Sequence, residues 1–209
     1  MKIKRVTDLF TLEKLYQFRH RIFVEELNWF PWVGNRLTDK FDAYSHNYVA
    51  FDQYSKIVGT LRIVPDSPGG LPLERLFSLT PYRKNKNIVE MCRFAVSSEH
   101  RSSRLFLRLM AASYQCAEMI GSTHMALDAY LEEEPIYEGL GFKRISRPYQ
   151  DPEYARKSMV VAMMASLAEI KRILVNEKPA VGKILMSNYN IYHGEIESKR
   201  VILKKSTVY

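Results

Sequence analysis

Two cysteines in 209 residues are too few for a disulfide framework. Cys92 and Cys116 both lie inside apolar segments and read as reduced core thiols. The opening MKIKRVTDLF holds no apolar stretch of signal-peptide length. The longest apolar run, MVVAMMASLA at 159–168, is too short to span a membrane. A cytoplasmic protein without an integral membrane segment is therefore expected. Zinc-ligand spacing, a Walker loop and an RNA-binding aromatic signature are missing too, so neither a metal nor a nucleic acid is expected as a partner. Internal repeats and low-complexity tracts are absent as well.

What is present is an ordinary globular composition, 46% hydrophobic and 26% charged. The length suits one domain with a sizeable core. Residues 1–175 carry the patterned elements, and 176–209 form a polar, basic extension expected to pack on the same domain. A net charge of +8 would suit an acidic protein, an anionic membrane or a nucleic acid, and the missing motifs set the last of these aside.

Hydrophobic spacing predicts a helix over 11–27, capped by Thr11, followed by a loop with Trp29, Pro31, Trp32 and Gly34. Strands are predicted at 46–52, 56–65, 88–96, 124–131 and 158–165, with GFKRIS starting another. A long helix ends at Gly121, a short one spans EEEPIYEGLG with Pro135 in its first turn, and SLAEIKRIL forms a third. The order implies a mixed α/β sheet with helices on its faces.

The strand VEMCRFAV is anomalous. It should be dry, yet it carries Glu90 and Arg93, and burying either charge alone costs several kcal/mol. A structural ion pair and a proton-abstracting site both satisfy this requirement. On a regular strand, residues three apart face opposite sides of the sheet, so the two can share a site only across a bulge.

The element order, with a basic turn before the long helix and PIYEGLGF later, resembles the GNAT acyltransferase superfamily. The fold so implied is a mostly antiparallel sheet flanked by helices, with a splayed strand pair at the active site. The superfamily's phosphate-binding turn, (Q/R)xxGx(G/A), aligns with Arg101, Ser102, Ser103, Arg104, Leu105 and Phe106. Only Arg101 matches. That departure favours an acyl carrier protein over coenzyme A as donor, with Arg104 and Arg108 facing the acidic carrier and Arg101 its pantetheine arm.

The N-terminal half resembles the acyl-homoserine-lactone synthases through Arg19, Phe23 and Trp29 in RHRIFVEELNW, then Asp42, Arg62 in GTLR, Phe77, and Glu90 with Arg93 in ExxR. Their second aspartate is replaced here by Ser45, followed by His46. The pattern Asp-x-x-Ser-x-His is more similar to the N-acyl amino acid synthases, the long-chain branch of the same fold. This implies a bacterial enzyme that joins a long-chain acyl group to an amino acid's α-amine, an aromatic one such as tyrosine. No cofactor is bound, the acyl-phosphopantetheine of the carrier is the donor, and the amphiphilic product would be membrane-active. The alternative is a lactone synthase using S-adenosylmethionine.

Amide formation needs a neutral amine, a polarised thioester carbonyl and a protonated leaving thiolate. Glu90 is the candidate base and His46 a second. Arg62 is a candidate for the amino acid's carboxylate, or else a partner of Asp42 and Arg93 in a structural network. Arg19, Asp42, Ser45, Arg93, Trp29 and Phe77 are assigned to substrate binding by the resemblance. Freed N–H groups over Phe94, Ala95 and Val96 are candidate oxyanion donors. Tyr137 is the candidate acid for the thiolate. An acyl tunnel is expected from MVVAMM, Leu109, Met125, Leu127 and Phe142, residues equally suited to plain core.

Overall fold

The computed structural model describes residues 1–32, 34–101, 104–155, 158–185 and 191–192. Its centre is a nine-stranded sheet built from β1 (Lys2–Arg5), β2 (His46–Phe51), β3 (Ile57–Pro65), β4 (Ile88–Val96), β5 (His124–Tyr130), β6 (Lys143–Arg144), β7 (Tyr149–Gln150), β8 (Met159–Ser166) and β9 (Ile191–Tyr192). The order is β6-β8-β5-β4-β3-β2-β1-β9, with β7 also on β8. The pairings are antiparallel except β4 with β5 and β1 with β9.

Two strands that apolar spacing does not predict complete one side of the sheet. Lys2–Arg5 is too short and basic for a periodic signal, and β9 lies in the extension. GFKRIS contributes only the two residues of β6.

The helices follow from the apolar spacing. In α1 (Leu9–His20), Leu15 and Phe18 are buried, and the chain continues through a wider turn over Arg21–Glu26 that buries Ile22, Phe23 and Val24. The cap is Asp8, whose carboxylate accepts the Thr11 N–H at 2.7 Å. It is not Thr11, which lies a turn inside. Leu105, Leu109, Ala112 and Cys116 form the buried stripe of α2 (Leu105–Met119). Gly121 and Gly141 end α2 and α3 (Glu134–Glu138) in the left-handed region, φ +74° and +95°.

The largest core lies between one face of the sheet and α2, α4 (Leu167–Asn176) and α5 (Pro179–Leu185). The opposite face is covered by α1 and by loop segments carrying Phe41, Leu71, Leu73 and Leu79. Leu109, Met125, Phe142 and Met163 pack in the first core.

Strand β4 carries the irregularities that open the sheet. It pairs with β5 over three rungs, Ile88–His124, Val89–Met125 and Glu90–Ala126, and then the strands part. Against β3, Arg62 faces Cys92 while Thr60 faces Ala95, so β4 carries one residue too many. Arg93 takes this bulge with φ +51°. A non-glycine residue held there is strained and invites a functional reading.

Candidate active site

Period-two alternation puts Glu90 and Cys92 on one face of β4, and the bulge turns Arg93 onto that same face. These three open into a small polar chamber of about 40 Å³, also lined by Arg62, Arg75, Asp128, Tyr149, Asp151 and Tyr154. Where β4 and β5 part, a second cavity of about 680 Å³ begins. It is mainly apolar, walled by Phe23, Trp29, Phe30, Phe94, Leu127, Tyr130, Ile136, Tyr137 and Val160. Cys92, Arg93, Asp128 and Tyr154 line both spaces and so form the junction between them.

Glu90 sits at the last β4–β5 rung with 1% exposure, and its carboxylate accepts the Leu73 N–H at 2.8 Å. Burial and the nearby Asp128 charge push its pKa up to about 8. Asp128 is raised as well, by burial and by Asp151, against the hydrogen bond it accepts from the Tyr154 hydroxyl at 3.1 Å. Cys92 is pushed up to about 11 by burial, against the charge of Arg62, so it is a thiol at neutral pH.

Beside this cluster lies a densely paired one, in which the Arg19 Nε is buried without a hydrogen-bond partner among the described residues. Arg62, 1% exposed, donates to both oxygens of Asp39 at 2.6 and 2.8 Å, approaches Asp42 at 3.2 Å and points Nε at the Cys92 sulfur at 3.3 Å. Arg19 donates to Asp42 at 2.8 Å and to Asn47. Burial alone would raise Asp39 and Asp42, yet the arginines hold both below the usual carboxylate range. Arg62 thus has no guanidinium edge left for a ligand. Arg93 differs. One Nη donates to Asp39 at 2.9 Å and its plane lies 4.3 Å over the Phe30 ring. Among the described residues the rest of its fork has no hydrogen-bond acceptor.

The backbone past the bulge is directional. Ser97 donates its N–H to Val58 in β3 at 2.9 Å, so by ladder alternation Ala95 also faces β3 and Val96 faces away, into the gap between β4 and β5. The Val96 carbonyl accepts from Arg101 Nε at 3.2 Å. The Phe94 and Phe106 rings meet edge to face, with centroids 5.1 Å apart.

Other residues singled out in the sequence scatter. Trp29 stacks on Tyr130 at 4.7 Å in the large cavity, whereas Trp32 is exposed. Tyr137 lines that cavity, and burial pushes its phenol well up. Arg101 also lines it, paired with Glu26. Arg104 and Arg108 line a different, surface cleft with Lys183 and Met1. Ser102 and Ser103 lie outside the described residues. His46, Ser45 and Phe77 line neither the chamber nor the large cavity. His46 is pushed down to about 4 by burial and Arg5, and so stays neutral. Phe77 packs against Tyr82. Of the residues expected to line an acyl tunnel, Leu127 and Val160 do; Leu109, Met125 and Phe142 belong to the core.

Sequence reasoning passed over Asp39, Asp128, Tyr149, Asp151 and Tyr154. Asp128 had a signal: a carboxylate in the apolar strand HMALDAY is the same anomaly that marked Glu90.

The chain as a whole has counterparts among known proteins. The family model of N-acyl amino acid synthase FeeM matches residues 14–166. The acyl-homoserine-lactone synthase of Pseudomonas aeruginosa is 25% identical over 147 residues, covering 66% of this chain and 72% of its own. Among solved structures, the coenzyme A-dependent acyl-homoserine lactone synthase BjaI, with SAM and isopentyl-CoA, superposes with a TM-score of 0.74 at 19% identity, over 93% of this chain and 94% of its own. FeeM, an N-acyl amino acid synthase from uncultured soil microbes, does so with a TM-score of 0.68 at 15% identity, over 81% and 92%. The fold is GNAT-like, and the chain is an acyltransferase that belongs to the N-acyl amino acid synthase FeeM family.

Proposed function

We propose that this enzyme transfers a long-chain acyl group from the phosphopantetheine thioester of acyl carrier protein to the α-amine of an amino acid. The observation that carries this reading is the junction: an apolar cavity able to take a chain meets a polar chamber able to take an amino acid's head. At about 40 Å³ the chamber has room for about three water-sized groups. That suits an ammonium and a carboxylate better than the nucleoside of S-adenosylmethionine. The aromatic wall of Trp29, Phe30, Tyr130 and Tyr154 makes an aromatic amino acid, tyrosine first, the acceptor to try.

Arg93 takes the substrate carboxylate on its unengaged edge, because a planar fork binds a carboxylate two-pronged. The pantetheine arm lies along the open edge of β4, where the Val96 N–H polarises the thioester carbonyl. The ammonium proton passes to the carboxylates of the chamber, of which Glu90 has a proton affinity close to working pH. Tyr137 protonates the departing sulfur. Arg19, Arg62, Asp39 and Asp42 hold this arrangement without touching substrate, and His46 has no step.

Purified protein incubated with long-chain acyl carrier protein and the twenty amino acids, followed by mass spectrometry, tests the reading. An N-acyl amino acid is expected, with coenzyme A thioesters the poorer donors. Homoserine lactone and methylthioadenosine, formed when S-adenosylmethionine is supplied, would move the enzyme to the signalling branch.

A further inference from the structure

Glu90 has the proton affinity for a base but not the position. It lines the polar chamber alone, is 1% exposed, and spends one carboxylate oxygen on the Leu73 N–H. The amine must meet the thioester at the junction, which Cys92, Arg93, Asp128 and Tyr154 form. Among the described residues Asp128 is the one carboxylate there. It lies two residues past the last β4–β5 rung, on the face of Ala126, where the strands have parted and both cavities meet it. No arginine or lysine among the described residues lies within ion-pair distance of its charge, and the Tyr154 hydroxyl is its side-chain hydrogen-bond donor. Arg75 is taken by Asp151 and Glu153, and Arg62 by Asp39 and Asp42.

We infer that Asp128 is a catalytic residue: its carboxylate seats the ammonium of the incoming amino acid and takes the first proton from it, while Tyr154 holds the carboxylate in place. This deepens the synthase reading and rests on it. The steps balance. The ammonium gives one proton to Asp128, and the neutral amine attacks the carbonyl. An N–C bond forms as the C–S bond breaks, and the second proton lost by nitrogen ends on the departing sulfur. Asp128 then returns its proton to water through the chamber. Arg93, held by Asp39 on one edge, takes the carboxylate of the same substrate, so the pair Asp128 and Arg93 selects a zwitterion over a simple amine.

The charged and titratable groups facing Asp128 are Glu90, Cys92 and Arg93 on β4, Arg62 on β3, Arg75 in the Pro72–Arg75 turn, Tyr149 on β7, and Asp151 and Tyr154 beyond it. Glu133, at the start of α3, shares the large cavity. Burial, and then the charge of Asp151, make its carboxylate basic for an aspartate, against the Tyr154 hydrogen bond and the charge of Arg75.

The test uses the full-length enzyme, the amino acid named by the wild-type product, and acyl carrier protein as donor. Asp128→Asn should lower kcat/KM for the amino acid by roughly 10²–10³-fold, leave KM for the acyl donor within twofold, and recover activity as pH rises and free amine accumulates. Asp128→Glu should restore part of the rate at neutral pH. Tyr154→Phe should raise KM for the amino acid severalfold with a smaller change in kcat. A near-wild-type Asp128→Asn, or one that weakens donor and acceptor alike with no alkaline recovery, would overturn the role of Asp128 while the synthase reading stands. Absence of any N-acyl amino acid from wild-type enzyme would overturn both.

Discussion

Two groups of buried charges share one face of this sheet, and they differ in how far they are satisfied. Around Arg62, three arginines and two aspartates close on one another, and the guanidinium of Arg62 reaches two carboxylates and a thiol. Around Glu90, two carboxylates adjoin with one backbone N–H and one phenol between them. The first group lies where β3, α1 and the 39–43 turn meet, and it fixes that junction. The second lies where β4 and β5 separate, and it has bonding capacity left for a ligand. Buried charge alone therefore does not mark a site; unsatisfied buried charge beside a cavity does.

The sharpest test of that contrast is Glu90→Gln. Removing the acid that flanks Asp128 should lower turnover, by less than the roughly 10²–10³-fold expected of Asp128→Asn. It should also stabilise the fold. The folded-state pKa of Glu90, about 8, lies above the ordinary value of 4.5, so the folded protein binds a proton the unfolded chain has released. Between those two values stability falls as pH rises. Glutamine carries no such charge and can still accept the Leu73 N–H. The variant should gain on the order of 4 kcal/mol at pH 8 and little at pH 4.5, read from denaturant midpoints at both pH values. A variant that loses activity and stability together would put Glu90 with the scaffold.

Asp39→Ala is the mirror experiment. It strips Arg62 of its two-pronged partner and Arg93 of its hydrogen bond, leaving a guanidinium buried at 1% exposure with Asp42 alone. Breaking a buried pair in this way costs roughly 3–5 kcal/mol, so melting should drop steeply, with activity per folded molecule less affected than in Glu90→Gln. If stability holds, the network is not what fixes the junction.

The two clusters also differ in how much of them the sequence discloses. Strands and the long helix follow from apolar periodicity, Glu90 and Arg93 draw attention as charges in an apolar strand, and Arg62 and Asp42 are picked out by the family resemblance. The bulge that unites Glu90 with Arg93 is a property of two strands in register, so β4 alone does not announce it. Asp39 lies in an irregular loop where an aspartate is unremarkable, and only tertiary convergence makes it the partner of two arginines. Asp128 was legible by the rule that found Glu90. Tyr149, Asp151 and Tyr154 come from a polar stretch with little period, which reaches the site because β7 pairs with the far end of β8.

A pH profile sharpens the comparison with a smaller effect. If the unsatisfied carboxylates act as base, kcat/KM for the amino acid should rise with pH, since the ionised form is the active one and both are raised by burial. His46, pushed down to about 4, predicts no inflection between pH 5 and 8, and His46→Gln should stay within about twofold of wild type across that range. An inflection near 6.5 that disappears in His46→Gln would return the histidine to the mechanism.

The weakest expected effect lies on the surface, where charges are solvated. Arg104 and Arg108 line a cleft of about 710 Å³ with Lys183, away from the cavity that Arg101 and the junction share. A cleft that among the described residues carries three cationic side chains and no acid would suit an acidic carrier, although Arg108 already donates to the Met1 carbonyl at 2.9 Å. Each exposed contact is worth about 0.2–1 kcal/mol. The double change Arg104→Ala with Arg108→Ala should therefore raise KM for the carrier-loaded donor roughly three- to tenfold at low salt. Raising ionic strength should narrow the gap, because added ions screen these charges in the wild type. Turnover at saturating donor and KM for the amino acid should stay unchanged, since neither residue lines the chamber. The same double variant assayed with a coenzyme A thioester separates docking from chemistry. An equal loss with both donors would mean the arginines meet something the donors share, the pantetheine arm or its phosphate, and not the carrier's acidic surface.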